Sequence, residues 1–295
     1  MSLCHFVFVM QKVWRTDQLF PPLLKEISDP PPLLYCLGQE LDPADKYFAI
    51  VGTRRPSQYG KQMAEEFAFT ISKAGFVIVS GLAYGIDAIA HKTALMAGSR
   101  TIAVLGSGLK HITPACNLPL AKEIQNSGTI ITEFNEDIAP NKKTFPQRNR
   151  IIAGMSCATL VIEAPERSGA LITARFALEY NRDVFAVPGN LTQETSTGTN
   201  RLIRDCKAFP ATCCSDILGY LGASYIEESR NGASNPSSLT NDEQKVFDLI
   251  KNAPIQIDEI IAETKFPTSQ INSILSMLEI KGFITVTGSY AFVTR

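Results

Sequence analysis

No stretch of this chain approaches the roughly 18 apolar residues that a membrane-spanning helix requires, although 45% of the sequence is hydrophobic. The start, MSLCHFVFVMQKVW, lacks a basic n-region and a small-residue cleavage site, so no signal peptide is expected. Seven cysteines are present (Cys4, Cys36, Cys116, Cys157, Cys206, Cys213 and Cys214), but no CxxC pair. The vicinal Cys213–Cys214 pair has no nearby histidine to complete a metal site. Reduced thiols in a cytoplasmic protein are expected, with no metal and no cofactor. Neither sign of charge dominates: the net charge is -1. That excludes a chain coated with basic residues and leaves room for one local basic face. The GxGxxG, P-loop, GxSxG and HExxH motifs are all missing.

The 295 residues suffice for one large domain and one small one. Residues 1–45 read as an irregular lead-in packed on the main domain, because PPLLKEISDPPPLLYCLG carries five prolines that break helices and remove backbone donors. From 46 to 225 the pattern changes. Short β-rich runs (YFAIV, FVIVS, TIAVL, TIIT, ATLVIEA, DVFAVPG) alternate with helical periods such as KQMAEEFAFTISKAG, IDAIAHKTALMAG and GALITARFALEYN. Strands that alternate with helices and are apolar on both faces predict an α/β domain. Its fold is an extended Rossmann-like, doubly wound, mostly parallel sheet covered on both sides. NGASNPSSLTN places a linker at 226–240. Residues 241–295 then give three helices and two short β runs, a small C-terminal winged-helix domain in which Thr268 is the expected N-cap of the third helix.

Ligands of a doubly wound sheet sit outside the carboxyl ends of its strands. The loops there are glycine-rich: GTRRPSQYG after the first run, GLAYGID after the second, GSGL after the third and PERSGALITA after ATLVIEA. Taken together they predict a rim of backbone donors for an anion, with the helix after GTRRPSQYG offering free N–H groups. Arg54 and Arg55 stand where a dinucleotide site needs small residues; their guanidinium arms suit phosphates. Between 141 and 182, seven basic residues (Lys142, Lys143, Arg148, Arg150, Arg167, Arg175, Arg182) face three acids (Glu163, Glu166, Glu179). Phe145 lies among them. Arginines that track a backbone beside an aromatic that stacks bases are the pattern of a single-stranded nucleic acid site. In FPQRNRIIAG (145–154), Arg148 and Arg150 either face such a polyanion or pair with Glu163 and Glu166. Asp87 and His91, at i and i+4, share a helix face and are the best candidate for catalysis, as an acid–base or metal pair; without a third ligand the structural reading of that pair is preferred.

These motifs occur together. IVGTRRPSQYG, IVSGLAYGIDAIAHKTAL, TIAVLGSGL, FPQRNRIIAGMS, LVIEAPERSGALITARFALEYNRDVFAVPG and STGTNRLI resemble the DNA-processing protein A (DprA/Smf) family, in order, over about residues 21–208. The resemblance implies a homodimer that binds single-stranded DNA, protects it and loads the RecA recombinase in natural transformation or recombination, without enzymatic activity. Carried over by motif, the DNA-contacting residues are Gly52, Thr53 and Arg54 of the first loop, Lys142, Lys143, Phe145, Arg148 and Arg150, with Ser168 and Gly169 on the same rim. This chain departs from the pattern at Tyr84, where the family has arginine. It departs again at Thr113–Pro114, where the family has Tyr-Pro, and in RDCKA after NRLI; the family's amino-terminal helical domain is largely missing.

Two other functions are suggested by parts of the sequence. SGALIT is similar to the phosphate loop of lysine-decarboxylase-like phosphoribohydrolases, which would make the protein an enzyme acting on a phosphorylated nucleoside. Those enzymes need a glutamate right after the loop, and Ala174 and Arg175 stand there instead. A duplex-DNA regulator would rest on the winged helix alone, and 241–295 holds five basic residues against seven acids.

Overall fold

The computed structural model describes residues 10–223, 239–251, 255–280, 283–287 and 290–293. Cys4, His5 and nearly all of the expected linker lie outside them. The chain divides into two compact units, 1–225 and 226–295.

In the first unit β1 (Gln11–Trp14), α1 (Pro22–Lys25) and β2 (Leu33–Gly38) precede β3 (Lys46–Val51). Then follow α2 (Gln58–Lys73), β4 (Phe76–Ser80), α3 (Ile86–Met96), β5 (Thr101–Val104), α4 (Leu118–Ser127) and β6 (Thr129–Thr132). The second half holds α5 (Thr144–Met155), β7 (Ala158–Val161), α6 (Gly169–Glu179), β8 (Asp183–Ala186), α7 (Thr197–Arg204), β9 (Phe209–Pro210) and α8 (Cys214–Tyr220). All nine strands form one sheet in the order β1-β2-β6-β5-β4-β3-β7-β8-β9. The run from β6 to β9 is parallel, and the β1–β2 and β2–β6 pairs are antiparallel.

Burial on both faces explains the continuous apolar runs. Alternate residues of β3 point to opposite sides. Tyr47, Ala49 and Val51 join the core under α1, α5 and α6. Phe48 and Ile50 join the core under α2, α3 and α8. A smaller cluster beneath α4 holds Leu105, Ile124 and Ile130. Each fully buried Ile or Phe contributes on the order of 1.5–3 kcal/mol, so a charged side chain at Ile50 would break both the strand and its packing.

The expected doubly wound sheet is therefore present, and the described part of the lead-in, residues 10–45, does pack on it, but as strands of the same sheet and not as irregular chain; residues 1–9 lie outside the described residues. Val13, Leu34 and Cys36 are core residues, and β2 pairs Tyr35–Gly38 with Thr129–Thr132 of β6. The prolines at 21–22 and 30–32 fall in the connections between β1 and β2, with Pro22 at the first position of α1, where a missing N–H costs nothing.

The topology sets the site. From β3 the chain winds through β4, β5 and β6 to one side, then returns so that β7 pairs with the other side of β3. The sheet thus has its switch point between β3 and β7, where loops diverge and leave a crevice at the strands' carboxyl ends.

The second unit has α9 (Asn241–Ile250), β10 (Ile255–Gln256), α10 (Ile257–Thr264), α11 (Thr268–Ile280), β11 (Ile284–Thr287) and β12 (Tyr290–Val293). Its three strands pair antiparallel in the order β10-β12-β11. Val246, Ile250, Ile260, Ile271 and Leu278 form its core. A capping box between Thr240 and Glu243 starts α9. Thr268 is the first helical residue of α11 and not its cap; the Pro267 carbonyl accepts from Gln270 and Ile271. No helix among the described residues is long and apolar enough to cross a membrane. No disulfide joins the six described cysteines.

Candidate nucleic-acid interface

A cleft of about 560 Å³ opens at the switch point. The β3 loop (Gly52–Arg55), the start of α5 (Phe145–Asn149), the segment entering α6 (Pro165–Ala170) and Glu194–Thr195 wall it.

The β3 loop is rigidly held. Thr53 N donates to the Glu163 carbonyl at 2.7 Å, the Thr53 carbonyl accepts from Ile86 N at 3.2 Å, and Thr53 Oγ1 accepts from Arg55 N at 3.2 Å. The helix that follows is not free for a ligand anion. The Glu163 carboxylate, 1% exposed, accepts from Ser57 N (2.9 Å), Ser57 Oγ (2.6 Å) and Thr195 Oγ1 (2.9 Å). The start of α2 is already occupied by the protein's own carboxylate.

The glycine rim is likewise not a set of free donors. A Cβ on Gly81 would lie 2.6 Å from the Arg148 guanidinium carbon, and one on Gly106 would lie 2.8 Å from Phe145 Cδ1. Gly81 N donates to Asp87 and Gly108 N to the Ile138 carbonyl. These glycines make room for α5, which lowers Phe145 and Arg148, one turn apart, onto the carboxyl ends of β5 and β4.

Arg148 and Arg150 are therefore not outward phosphate ligands, as had been expected. Both lie on α5, where two residues turn about 200°, so they enter the interior on opposite sides. Arg148 is 5% exposed. It donates to the carbonyls of Gly81 (2.7 Å) and Val104, and from Nε to Asn149 Oδ1 (3.2 Å). Arg150 is 7% exposed and pairs with Glu133 and with Asp29, whose carbonyl it also reaches at 2.7 Å. The alternative partners are excluded too, since Glu163 is held by Ser57 and Thr195, and Glu166 pairs with Arg201 at 2.9 Å. Burial lowers the Arg148 pKa to about 10, which leaves it cationic at neutral pH. Asp87, buried beside it, has its carboxyl pKa raised by burial, opposed by the Arg148 charge and by N–H groups of Ala83 and Gly81.

His91 is fully buried and does not line the cleft. Thr101 Oγ1 spends its proton on the Ile78 carbonyl (2.7 Å), so the 2.7 Å contact from His91 Nδ1 must be an N–H donation. Desolvation first, and the Arg148 charge second, lower the imidazole pKa to about 3. Asp87 and His91 make no hydrogen bond to each other among the described contacts.

Arg54 and Arg55 of the β3 loop and Arg167, just before Ser168, are the exposed cations that line the cleft; Arg148 lines it too but is buried. Lys142 and Lys143, expected at the site, are exposed just before Phe145 but are not among the lining residues. Among the described residues none of these five exposed cations has a carboxylate partner, whereas Arg150, Arg175, Arg182 and Arg201 all do. The Arg54 guanidinium lies 5.7 Å over the half-buried Phe145 ring. Ser168 caps α6 by accepting from Ala170 N at 3.3 Å, and Asn149 Nδ2 donates to the Gly169 carbonyl at 3.2 Å. Phe145, Arg54, Thr53, Gly52, Ser168 and Gly169 thus meet in one place.

The DNA recombination-mediator protein A profile matches residues 11–222, and the DprA winged helix domain profile matches 231–288. The chain belongs to the DNA recombination-mediator protein A family. It is 36% identical over 304 residues to the Smf protein of Synechocystis sp., covering 91% of this chain and 76% of that protein. The structure of DNA processing protein A from Streptococcus pneumoniae superposes with a TM-score of 0.68 at 38% identity, covering 74% of this chain and 75% of that one. DNA processing protein A from Helicobacter pylori, described for its unique single-stranded DNA binding mode, gives 0.64 at 32% identity, covering 74% and 96%.

Within this family fold the departures find places. Tyr84 is 49% exposed between β4 and α3 and does not line the cleft. RDCKA follows α7, where Cys206 takes a positive φ of 53°. Arg55, Arg167 and the Glu194–Thr195 segment were not among the residues first assigned to the site. Arg167 adjoins the Ser168–Gly169 signal and could have been taken with it. The 194–195 segment carries no local motif and reaches the cleft only through Glu163.

Proposed function

We propose that this protein binds single-stranded DNA in the switch-point cleft, as a DNA-processing protein that handles incoming strands in transformation or recombination. The observation that carries the reading is the group of three exposed arginines without carboxylate partners, Arg54, Arg55 and Arg167, that lines the cleft with Phe145. Exposed cations that form no internal pair are available to phosphates, and an aromatic ring beneath an arginine offers a face to an unpaired base. Arg148, which lines the cleft with its guanidinium held by the Gly81 and Val104 carbonyls, adds positive potential from within the wall. The single-stranded DNA binding named for the Helicobacter pylori relative supports the same reading. Hand-over of the strand to RecA, a homodimeric state and a cytoplasmic location belong to the proposal through the family resemblance.

A binding role is favoured over hydrolysis because the buried acids by the cleft are engaged. Glu163 accepts three hydrogen bonds, and Asp87 accepts from Gly81 N and Ala83 N. The winged-helix unit gives little support to duplex binding: the exposed positions of α11 include Thr268, Ser269, Asn272, Ser273, Ser276 and Met277, with no lysine or arginine among them.

Phe145→Ala is expected to weaken single-strand binding by about 1–3 kcal/mol. Arg54→Ala is expected to flatten the dependence of log K on log salt by roughly 0.7, one phosphate contact. Arg54→Ala should leave the melting temperature unchanged, because Arg54 is exposed; Phe145→Ala should lower it modestly, because the half-buried ring packs on Gly106. Unchanged affinity in both variants, measured by anisotropy titration, would overturn the reading.

A further inference from the structure

A second hollow, of about 450 Å³, adjoins the cleft at the start of α6. Arg167, Ser168, Gly169 and Ile172 line both. The two hollows are one groove, with Ser168–Gly169 as its saddle. Beyond the saddle stand Leu171, Ile172 and Arg175. Glu166 is the acid on that side, and Arg201 neutralises it at 2.9 Å.

Gly169 is the unusual residue. It is the first residue of α6, a Cβ added to it meets nothing within 4 Å, and its φ lies outside the left-handed region. Gly81 and Gly106 are required by the side chains packed on them; nothing packs where a Cβ of Gly169 would stand, and the same holds of Gly219 in α8, away from the groove. Glycine in a helix is destabilising relative to alanine. Its bare backbone does keep the saddle low enough for another backbone to cross. The Arg175 guanidinium lies 5.5 Å over the Phe176 ring and pairs with Glu179 at 3.4 Å, with both side chains of the pair more than half exposed. Such a pair is worth little, and a phosphate can displace the glutamate.

We infer that the groove holds a further nucleotide beyond the one in the cleft. The sugar–phosphate backbone crosses Ser168–Gly169, and the next phosphate is met by Arg167 and Arg175 above Leu171 and Ile172. This rests on the single-stranded DNA reading and adds a second contact region and a direction to it.

The test is an anisotropy titration of the intact chain with a labelled oligo-dT long enough to cross both hollows. Arg175→Ala should weaken binding about tenfold or more, as expected for one charge-assisted contact, and flatten the salt slope by roughly 0.7. Glu179→Ala, which breaks the same ion pair, should leave affinity unchanged or raise it. Gly169→Ala should weaken binding about threefold or more while the melting temperature holds or rises. The groove is refuted if Arg175→Ala and Glu179→Ala change affinity alike, or if Arg54→Ala weakens binding while Arg175→Ala and Gly169→Ala do not; the cleft then stands alone. Failure of the unmutated chain to bind oligo-dT would overturn the single-strand reading itself.

Discussion

Arg148→Ala is expected to destabilise the first unit by about 3–5 kcal/mol, the range for removing one member of a buried charged network. The guanidinium spans the ends of two strands through the carbonyls of Gly81 and Val104. Without it those buried acceptors lose their donor, at about 1–3 kcal/mol for each group left unsatisfied. Asp87 loses the positive charge that opposes the effect of its burial. Gly81 then faces a void where the guanidinium sat. Lysine should rescue little, since a point charge cannot fork to two carbonyls. Denaturant unfolding of the alanine and lysine variants measures the effect. The folded fraction of either variant should keep the wild-type salt slope for single strands, because Arg148 contacts protein and not phosphate. An unaltered stability together with a flattened slope would return Arg148 to the strand's surface.

The second large effect is a loss of stability in acid that depends on His91. Its pKa is about 3 in the folded protein against 6.5 ordinarily. A depressed folded pKa means that the unfolded chain takes the proton first. The stabilising contribution of a neutral His91 is therefore complete above pH 6.5 and declines as pH falls towards 3, at about 1.4 kcal/mol per pH unit. By about pH 4.5 this amounts to roughly 2–3 kcal/mol. Asp87 and Glu133 work in the opposite sense, because burial raises their carboxyl pKa values. Acidification through those raised values favours the folded state, so the comparison must isolate the histidine. His91→Asn retains an amide donor for Thr101 and removes the titration. The stability difference between wild type and His91→Asn should shrink by about 1.4 kcal/mol for each pH unit below 6.5. A difference that stays flat from pH 7 to 4.5 would show that His91 takes no part in acid unfolding.

How far the sequence carried the fold depended on burial. β3 to β8 were legible because both of their faces are covered, which leaves uninterrupted β-branched and aromatic runs. β1 and β2 were hidden by the prolines of their connections, which argue locally against any sheet although they lie outside the strands themselves. α5 was hidden for another reason. Its inward side includes Arg148 and Arg150 next to Ile151 and Ile152, so polar residues occupy positions where periodicity looks for apolar ones. The same inversion decided the site. That arginines and an aromatic gather after the strands could be read from residue types. Which arginines point inward could not, because direction depends on helix phase and on the space that Gly81 and Gly106 leave for α5. Four of the seven basic residues between 141 and 182 (Arg148, Arg150, Arg175 and Arg182) are engaged by protein acceptors or carboxylates. The outward charge belongs instead to Arg54, Arg55, Lys142, Lys143 and Arg167. The loop glycines were read as an anion rim, and most turned out to be packing glycines; Gly169, indistinguishable from them in sequence, is the one left open.

The central claim is that the cleft binds unpaired strands through exposed cations and one aromatic ring. Titration of the intact protein with labelled single-stranded and duplex DNA of the same length, at two salt concentrations, tests it most directly. Three to five phosphate contacts predict a slope of log K against log salt of roughly -2 to -3.5 for the single strand, with clear preference for it over the duplex. Equal or tighter binding of the duplex would contradict the account.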